Sequence, residues 1–158
     1  MRLRLIAVGT RMPGWVDEAW QEYTRRLRAP YALELREVAS AHRAGAGEAA
    51  ARQAMAAESR SILALLDARE YVVPLDERGT EPTTLELARW LQERAQAGSN
   101  VSFVIGGADG LAPEVLARGN YRWSLSRLTL PHGMVRVMLA EQIYRATTVL
   151  AGHPYHRA

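Results

Sequence analysis

The sequence predicts an α/β fold, with a mainly parallel sheet and helices on both of its faces. Three observations carry this. Strand-like runs alternate with helical-period segments five times along the chain, which is the pattern of parallel crossover units. One run, Val101–Ile105, is continuously apolar, as a strand covered on both faces must be. The length of 158 residues suits one domain and is enough to bury roughly two thirds of the unfolded surface.

The elements follow in order. Arg2–Val8 reads as the first strand. Trp15–Leu27 reads as a helix, with Val16, Trp20, Tyr23 and Leu27 at helical spacing. Tyr31–Val38 alternates apolar and polar residues, as a half-buried strand does. Ala39–Gly47 is a loop containing His42 and Arg43, either a plain surface connection or a lid or RNA-contacting arm. Gly47–Asp67 is Ala-rich and helical, and Tyr71–Leu75 is a short strand that ends at Leu75-Asp76. Thr83 and Glu86 have capping-box spacing before the helix Leu85–Ala97. Pro113 suits the first turn of a short helix ending near Gly119. Trp123–Ser126 reads as a weak fifth strand. Leu128-Thr129-Leu130 looks strand-like, but Pro131 stops any ladder there. Met134–Leu150 is the last helix. It is apolar on more than one face, so it meets the sheet and either a partner chain or other helices of the same chain. Within it, Glu141 and Arg145 stand at the spacing of an ion pair, and Arg136 projects from a different face.

Composition excludes much chemistry. All 20 basic residues are Arg and there is no Cys. That removes P-loop, Schiff-base and general-base lysines, thiolate catalysis, cysteine metal sites and disulfides. The 26 Ala and the Arg-for-Lys usage fit a GC-rich coding sequence. The first strand is too short and too charged for a signal-peptide core, and no run reaches the roughly 20 apolar residues of a membrane span. The expected location is the cytoplasm.

Charge is segregated along the chain. Residues 1–43 carry +3, residues 44–117 carry −5 and residues 118–158 carry +5, for a net +3. A basic last quarter is either a polyanion footprint or a solvated surface.

In a parallel sheet, ligands bind beyond the carboxyl ends of the strands. The turn after the first strand, Gly9-Thr10-Arg11-Met12-Pro13-Gly14, lacks the dinucleotide fingerprint. Gly106-Gly107-Ala108-Asp109-Gly110 follows the fourth strand, as a ligand cradle or a plain tight turn. Leu75, Gly107 and Leu130 can line one apolar slot with backbone donors and acceptors, which suits an adenine and a thioether better than a phosphate. The tail His153-Pro154-Tyr155-His156-Arg157 has two His three apart, but no accompanying carboxylate and a helix-breaking Pro. It therefore reads as non-metal, either frayed or reaching a base and a phosphate.

Taken together, these blocks resemble the RlmH family of bacterial large-subunit rRNA pseudouridine methyltransferases, in the SPOUT superfamily. The resemblance runs end to end. It rests on Ala7-Val8-Gly9-Thr10, Ile105-Gly106-Gly107 with Gly110-Leu111, Trp123-Ser124-Leu125-Ser126, and Leu128-Thr129-Leu130-Pro131-His132. Val135-Arg136-Val137, Glu141-Gln142-Ile143-Tyr144-Arg145-Ala146 and the terminal block His153–Arg157 complete it. The last two blocks together are the most specific.

The resemblance implies a C-terminal trefoil knot, an exception to unknotted connections, with knot and cofactor site within about residues 71–158 of a single domain 1–158. It implies S-adenosyl-L-methionine held by Leu75, Gly107, Ser126, Arg127, Leu128, Thr129, Leu130 and Pro131. It also implies a homodimer without metal or membrane contact, acting on N3 of a pseudouridine in a 23S rRNA hairpin loop. That imide is weakly acidic and must lose its proton, so a base or a stabilising cation is needed. The expected catalytic cluster is Tyr155, His156 and Arg157, with Glu141 and Arg145 close by across the dimer. Three other readings compete. A non-catalytic RNA-binding module of the same shape would lose the cofactor slot. A Rossmann-type enzyme would need the missing glycine turn. A purely structural dimer would leave the tail unexplained.

Overall fold

A computed structural model describes residues 1–157. The order of elements is β1 (Leu3–Val8), α1 (Gly14–Thr24), β2 (Leu33–Val38), α2 (Glu48–Leu65), β3 (Tyr71–Thr80), α3 (Thr84–Gln96), β4 (Val101–Ile105), α4 (Pro113–Arg118) and α5 (His132–Ala151). The four strands pair in parallel in the order β2-β1-β4-β3. No helix among the described residues is long and apolar enough to cross a membrane.

The pattern of side chains explains the layers. Successive residues of a strand point to opposite faces, and the central strands β1 and β4 are buried throughout. Leu3, Leu5 and Ala7 of β1 join Phe103 of β4, Trp20 of α1, Leu91 of α3 and Ile143 of α5 in one core. Ile6 and Val8 join Val104, Ile62 of α2 and Val115 of α4 in the other. Helices therefore cover both faces, as the strict alternation predicts. β2 is an edge strand with an interrupted burial pattern, consistent with its alternating sequence. The capping box is present: Thr83 Oγ1 accepts from the Glu86 N–H, and the Glu86 carboxylate accepts from the Thr83 N–H. Pro113 opens α4.

Two expectations about strands need correction. Trp123–Ser126 is not a fifth strand: only Trp123 pairs, through isolated bridges to Leu75 and Thr80. The apolar signal there comes from burial of one aromatic side chain, with Trp123 2% exposed and packed on Trp90 and Phe103 at ring-centroid distances of 4.7 and 5.6 Å. Nor does β3 end at Leu75-Asp76. It continues to Thr80, whose N–H donates to the Arg122 carbonyl at 3.0 Å and whose carbonyl accepts from the Ser124 N–H at 2.8 Å. The last helix starts at His132, two residues earlier than its apolar pattern shows.

These contacts place residues 122–124 between the two limbs of the 75–80 stretch. A Cβ on Gly79 would lie 2.5 Å from the Trp123 carbonyl carbon and 2.8 Å from both the Arg122 oxygen and the Ser124 nitrogen. Only a residue without a side chain permits so close a backbone crossing.

α5 lies on the sheet face between α1 and α3. Tyr23 of α1 packs on Tyr144, and the Thr84 hydroxyl donates to Gln142 Oε1 at 2.7 Å. Arg136, on a different face of α5 from Glu141 and Arg145, is fully buried.

Candidate functional site

The carboxyl ends of β1, β4 and β3 open onto one cleft of about 870 Å³. This is where the chain direction of a parallel sheet places a ligand site. Val8 and Gly9 come from β1, Ile105 to Gly107 from β4, and Leu75 to Arg78 from β3. The segment from Ser124 to Leu130 supplies another wall, and His132 and Val135 supply the start of α5.

Of the expected cofactor residues, Leu75, Gly107, Ser126, Leu128, Thr129 and Leu130 all line this cleft, whereas Arg127 and Pro131 do not. The Arg127 side chain is 89% exposed, with Nε 4.0 Å from Glu81. Pro131 is the N-cap of α5, so its role is to end the loop and start the helix.

The loop wall is internally fixed. The Ser124 hydroxyl donates to the Ser126 carbonyl at 2.8 Å, and the Ser126 hydroxyl accepts from the Leu128 N–H at 2.9 Å. The glycine turn is also fixed by packing. A Cβ on Gly106 would strike the Gly110 carbonyl carbon at 2.6 Å, and one on Gly107 would reach Glu58 Oε1 at 3.0 Å. Gly106 is thus required by the tight turn, Gly107 sits close to Glu58, and the turn is itself part of the cleft wall.

Sequence reasoning missed Gly9, Asp76, Arg122, Ser40 and His132, which line the cleft together with Asp109 of the glycine turn. The strand-end rule could have found Gly9 and Asp76. The others depend on how separate loops meet. Arg122 lies 3.5 Å from Asp76. Arg43 of the 39–47 loop pairs with Asp109 of the glycine turn, and the Ala41 N–H donates to Glu58.

The donor set fits S-adenosylmethionine. Val8, Leu75, Leu125, Leu128, Leu130 and Val135 give apolar walls for an adenine. Asp76 and Asp109 line the cleft as well, each paired with an arginine.

Of the expected catalytic residues, Glu141, Arg145 and Tyr155 form a second cluster. Gly152, at φ 67°, ends α5 in the left-handed conformation and turns the tail back. Arg145 pairs with Glu141 at 2.6 Å, and the Tyr155 hydroxyl donates to Glu141 Oε1 at 3.1 Å. The Tyr155 ring packs on Tyr144 at 4.7 Å and lies under the Arg145 guanidinium at 4.8 Å. Burial, then the bond to Glu141, pushes the Tyr155 phenol up to about 12. It is therefore a hydrogen-bond donor at neutral pH and not a base. The bond to Glu141 holds Arg145 above its ordinary value. Both ring nitrogens of His156 are covered and without a hydrogen-bond partner among the described residues.

None of these five residues lines the cleft. At 1.5 Å per residue, Glu141 stands about 14 Å along α5 from His132 and Arg145 about 20 Å. One chain builds the two clusters but does not bring them together.

Comparison with known proteins places this arrangement. The family model described as Predicted SPOUT methyltransferase matches residues 1–156. A protein of Burkholderia vietnamiensis named Ribosomal RNA large subunit methyltransferase H is 49% identical over 158 residues, covering 100% of both chains. Its namesake in Pseudomonas paraeruginosa is 50% identical over 157 residues, covering 99% of this chain and 100% of the relative. Among solved structures, a methylase-family protein of Neisseria gonorrhoeae superposes with TM-score 0.55 at 14% identity, over 99% of this chain and 87% of its own. TrmJ of Z. mobilis does so with TM-score 0.55 at 15% identity, over 94% and 71%. At such identities the structural likeness shows the fold alone. With a family model spanning almost its whole length and relatives half identical from end to end, this chain belongs to the SPOUT methyltransferase family, in the group of the ribosomal RNA large subunit methyltransferase H proteins.

Proposed function

We propose that this chain is an S-adenosylmethionine-dependent methyltransferase of large-subunit rRNA, methylating N3 of a pseudouridine in a hairpin loop of 23S rRNA. It acts in the cytoplasm as a homodimer of single-domain subunits with the knot of its family. The observation that carries this reading is the cleft at the strand ends, whose lining includes six of the eight residues the family resemblance assigns to the cofactor. The close packing of residues 122–124 against the 75–80 stretch is consistent with the knot of that family.

When bound, the cofactor supplies an electrophilic methyl group on a sulfonium sulfur. The chain's own work is to hold, orient and exclude water. Leu75, Gly107, Ser126, Leu128, Thr129 and Leu130 hold it, while Arg127 and Pro131 act from the loop backbone and the helix cap. The tail cluster receives the RNA. Arg145 and Arg157 supply cations that favour the imide anion, Tyr155 donates a hydrogen bond, and His156 takes the N3 proton or orients the base. Glu141 anchors Arg145 and Tyr155. In this reading a tail from one subunit serves the cleft of the other, which the separation along α5 supports.

The test is paired. His156→Ala and Arg157→Ala are expected to keep the thermal shift that S-adenosylmethionine gives the wild type, while tritiated methyl transfer to ribosomes carrying the pseudouridine falls at least tenfold, about 1.4 kcal/mol of transition-state stabilisation. No cofactor shift in the wild type would instead favour an RNA-binding module, and full activity of both variants would remove the tail from catalysis.

A further inference from the structure

Beneath the cleft lies a polar chain that the proposed chemistry does not use. Arg136 is fully buried on the first turns of α5. Its Nη2 donates to the Gly9 carbonyl at 2.8 Å, at the end of β1. Its Nη1 donates to Glu37 Oε2 at 2.8 Å, on β2. Its Nε donates to His132 Nε2 at 3.0 Å. Since an arginine only donates, His132 Nε2 must be the acceptor, and the ring proton sits on Nδ1. That Nδ1–H donates to the Gly106 carbonyl at 3.0 Å, at the end of β4. One guanidinium therefore ties together the ends of three strands and the start of α5, and it fixes the tautomer of the histidine between them.

We propose that Arg136 and His132 are positioning residues for the cofactor cleft. Resting on the reading of that cleft as an S-adenosylmethionine site, they set the direction of the Gly106–Gly107 peptide through the Gly106 carbonyl. A peptide unit is planar, so holding that oxygen orients the whole unit and the entry to the Gly107–Gly110 turn. Both Gly106 and His132 line the cleft. Burial of a permanently charged side chain is costly unless every donor direction is matched, and here three of its nitrogens have partners in three different segments. A core leucine at this position would fill the space without directing the turn.

The chain has an electrostatic consequence. Burial first, then Arg136, holds the His132 pKa below the ordinary imidazole value, while the Gly106 carbonyl and Glu37 oppose this. The charged groups facing the ring are thus Arg136 from α5 and Glu37 from β2. Protonation at Nε2 would set a donor against the Arg136 donor, so the neutral ring is the one that holds the turn.

Arg136→Met would break three bonds at once and could simply unfold, so the informative variants are at His132. Asn places its amide nitrogen near the Nδ1 position and keeps the bond to Gly106. Gln reaches the Nε2 position and keeps only the bond from Arg136. Calorimetric titration with S-adenosylmethionine should show H132Q binding about tenfold more weakly than wild type, with H132N recovering most of that loss. Since the ring's pKa lies below 6.5, wild-type affinity should hold from about pH 8 to 6.5 and weaken only at lower pH, with that weakening absent in H132N. H132Q binding as tightly as wild type, or an acid-side weakening that H132N shares in full, would overturn the proposal. A wild type that binds no cofactor at any pH would sink the cofactor reading itself, a distinct result.

Discussion

At the opposite end of the sheet from the cleft, a few single side chains form a buried ionic network. Glu70 has no side-chain exposure, and Arg4 is 8% exposed. The Arg4 guanidinium donates to both Glu70 oxygens at 3.1 and 2.8 Å, and the Ser102 hydroxyl and the Asp67 N–H donate as well. Burial alone pushes the Glu70 carboxyl up, but the donors together outweigh it and hold the pKa below its ordinary 4.5. A carboxylate with a depressed folded-state pKa adds stability above its unfolded-state value and loses it as pH falls through the folded one. Urea unfolding of the wild type should therefore show stability dropping as pH goes below about 4.5. Glu70→Gln should be less stable by about 2 kcal/mol at pH 7 and show a shallower loss in acid. An unchanged acid limb in the variant would assign it to other carboxylates. None of this is legible in the sequence. Arg4, Glu70 and Ser102 lie on three separated segments, and only the pairing of β1 and β3 with β4 brings them together.

Among the secondary-structure elements, those whose burial follows a simple period were legible and those defined by a crossing were not. Val101–Ile105 is apolar at every position because β4 is central and covered on both faces. The Thr83/Glu86 spacing marks the start of α3 because a capping box is local chemistry. β3 beyond Leu75 has no strand signature, since Asp76-Glu77-Arg78-Gly79 is polar. Its extended form comes from Thr80 pairing with the 122–124 segment. Trp123 looks like part of a strand because a buried aromatic resembles one in a short window. The close approach at Gly79 is the sharpest test of the crossing. Gly79→Ala places a methyl 2.5 Å from backbone that cannot retreat, and it should destabilise by about 3 kcal/mol or fail to fold. A variant melting within about 2 °C of wild type would mean that the crossing is looser than described.

For the complete protein, the proposed reaction joins the cleft of one subunit to the tail of another, since α5 keeps the two apart within one chain. Two inactive variants mixed after unfolding should then complement each other. A subunit disabled in its cleft by Gly107→Trp, refolded with one disabled in its tail by Arg157→Ala, should regain about one quarter of wild-type methyl transfer. Half of randomly formed dimers are mixed, and each mixed dimer holds one intact composite site. Activity staying at the level of the separate variants would show that tail and cleft act within one chain. The site was half legible beforehand. The strand-end rule and the family resemblance converge on Leu75, Gly107 and Leu130, all of which line the cleft. Arg127 and Pro131 belong to the same loop in sequence but point elsewhere in space. The amino-acid sequence was sufficient to establish the alternating α/β architecture, the helix caps, the exclusion of lysine and cysteine chemistry, and the family. Each of these follows from local periodicity, local hydrogen bonding or the identity of the residues present. Only the folded chain settled where Trp123 crosses β3, why Arg136 is buried, and how His132 comes to hold the Gly106 carbonyl. Those depend on contacts between segments up to 127 residues apart, and no periodicity along the chain encodes which distant carbonyl a buried donor will meet.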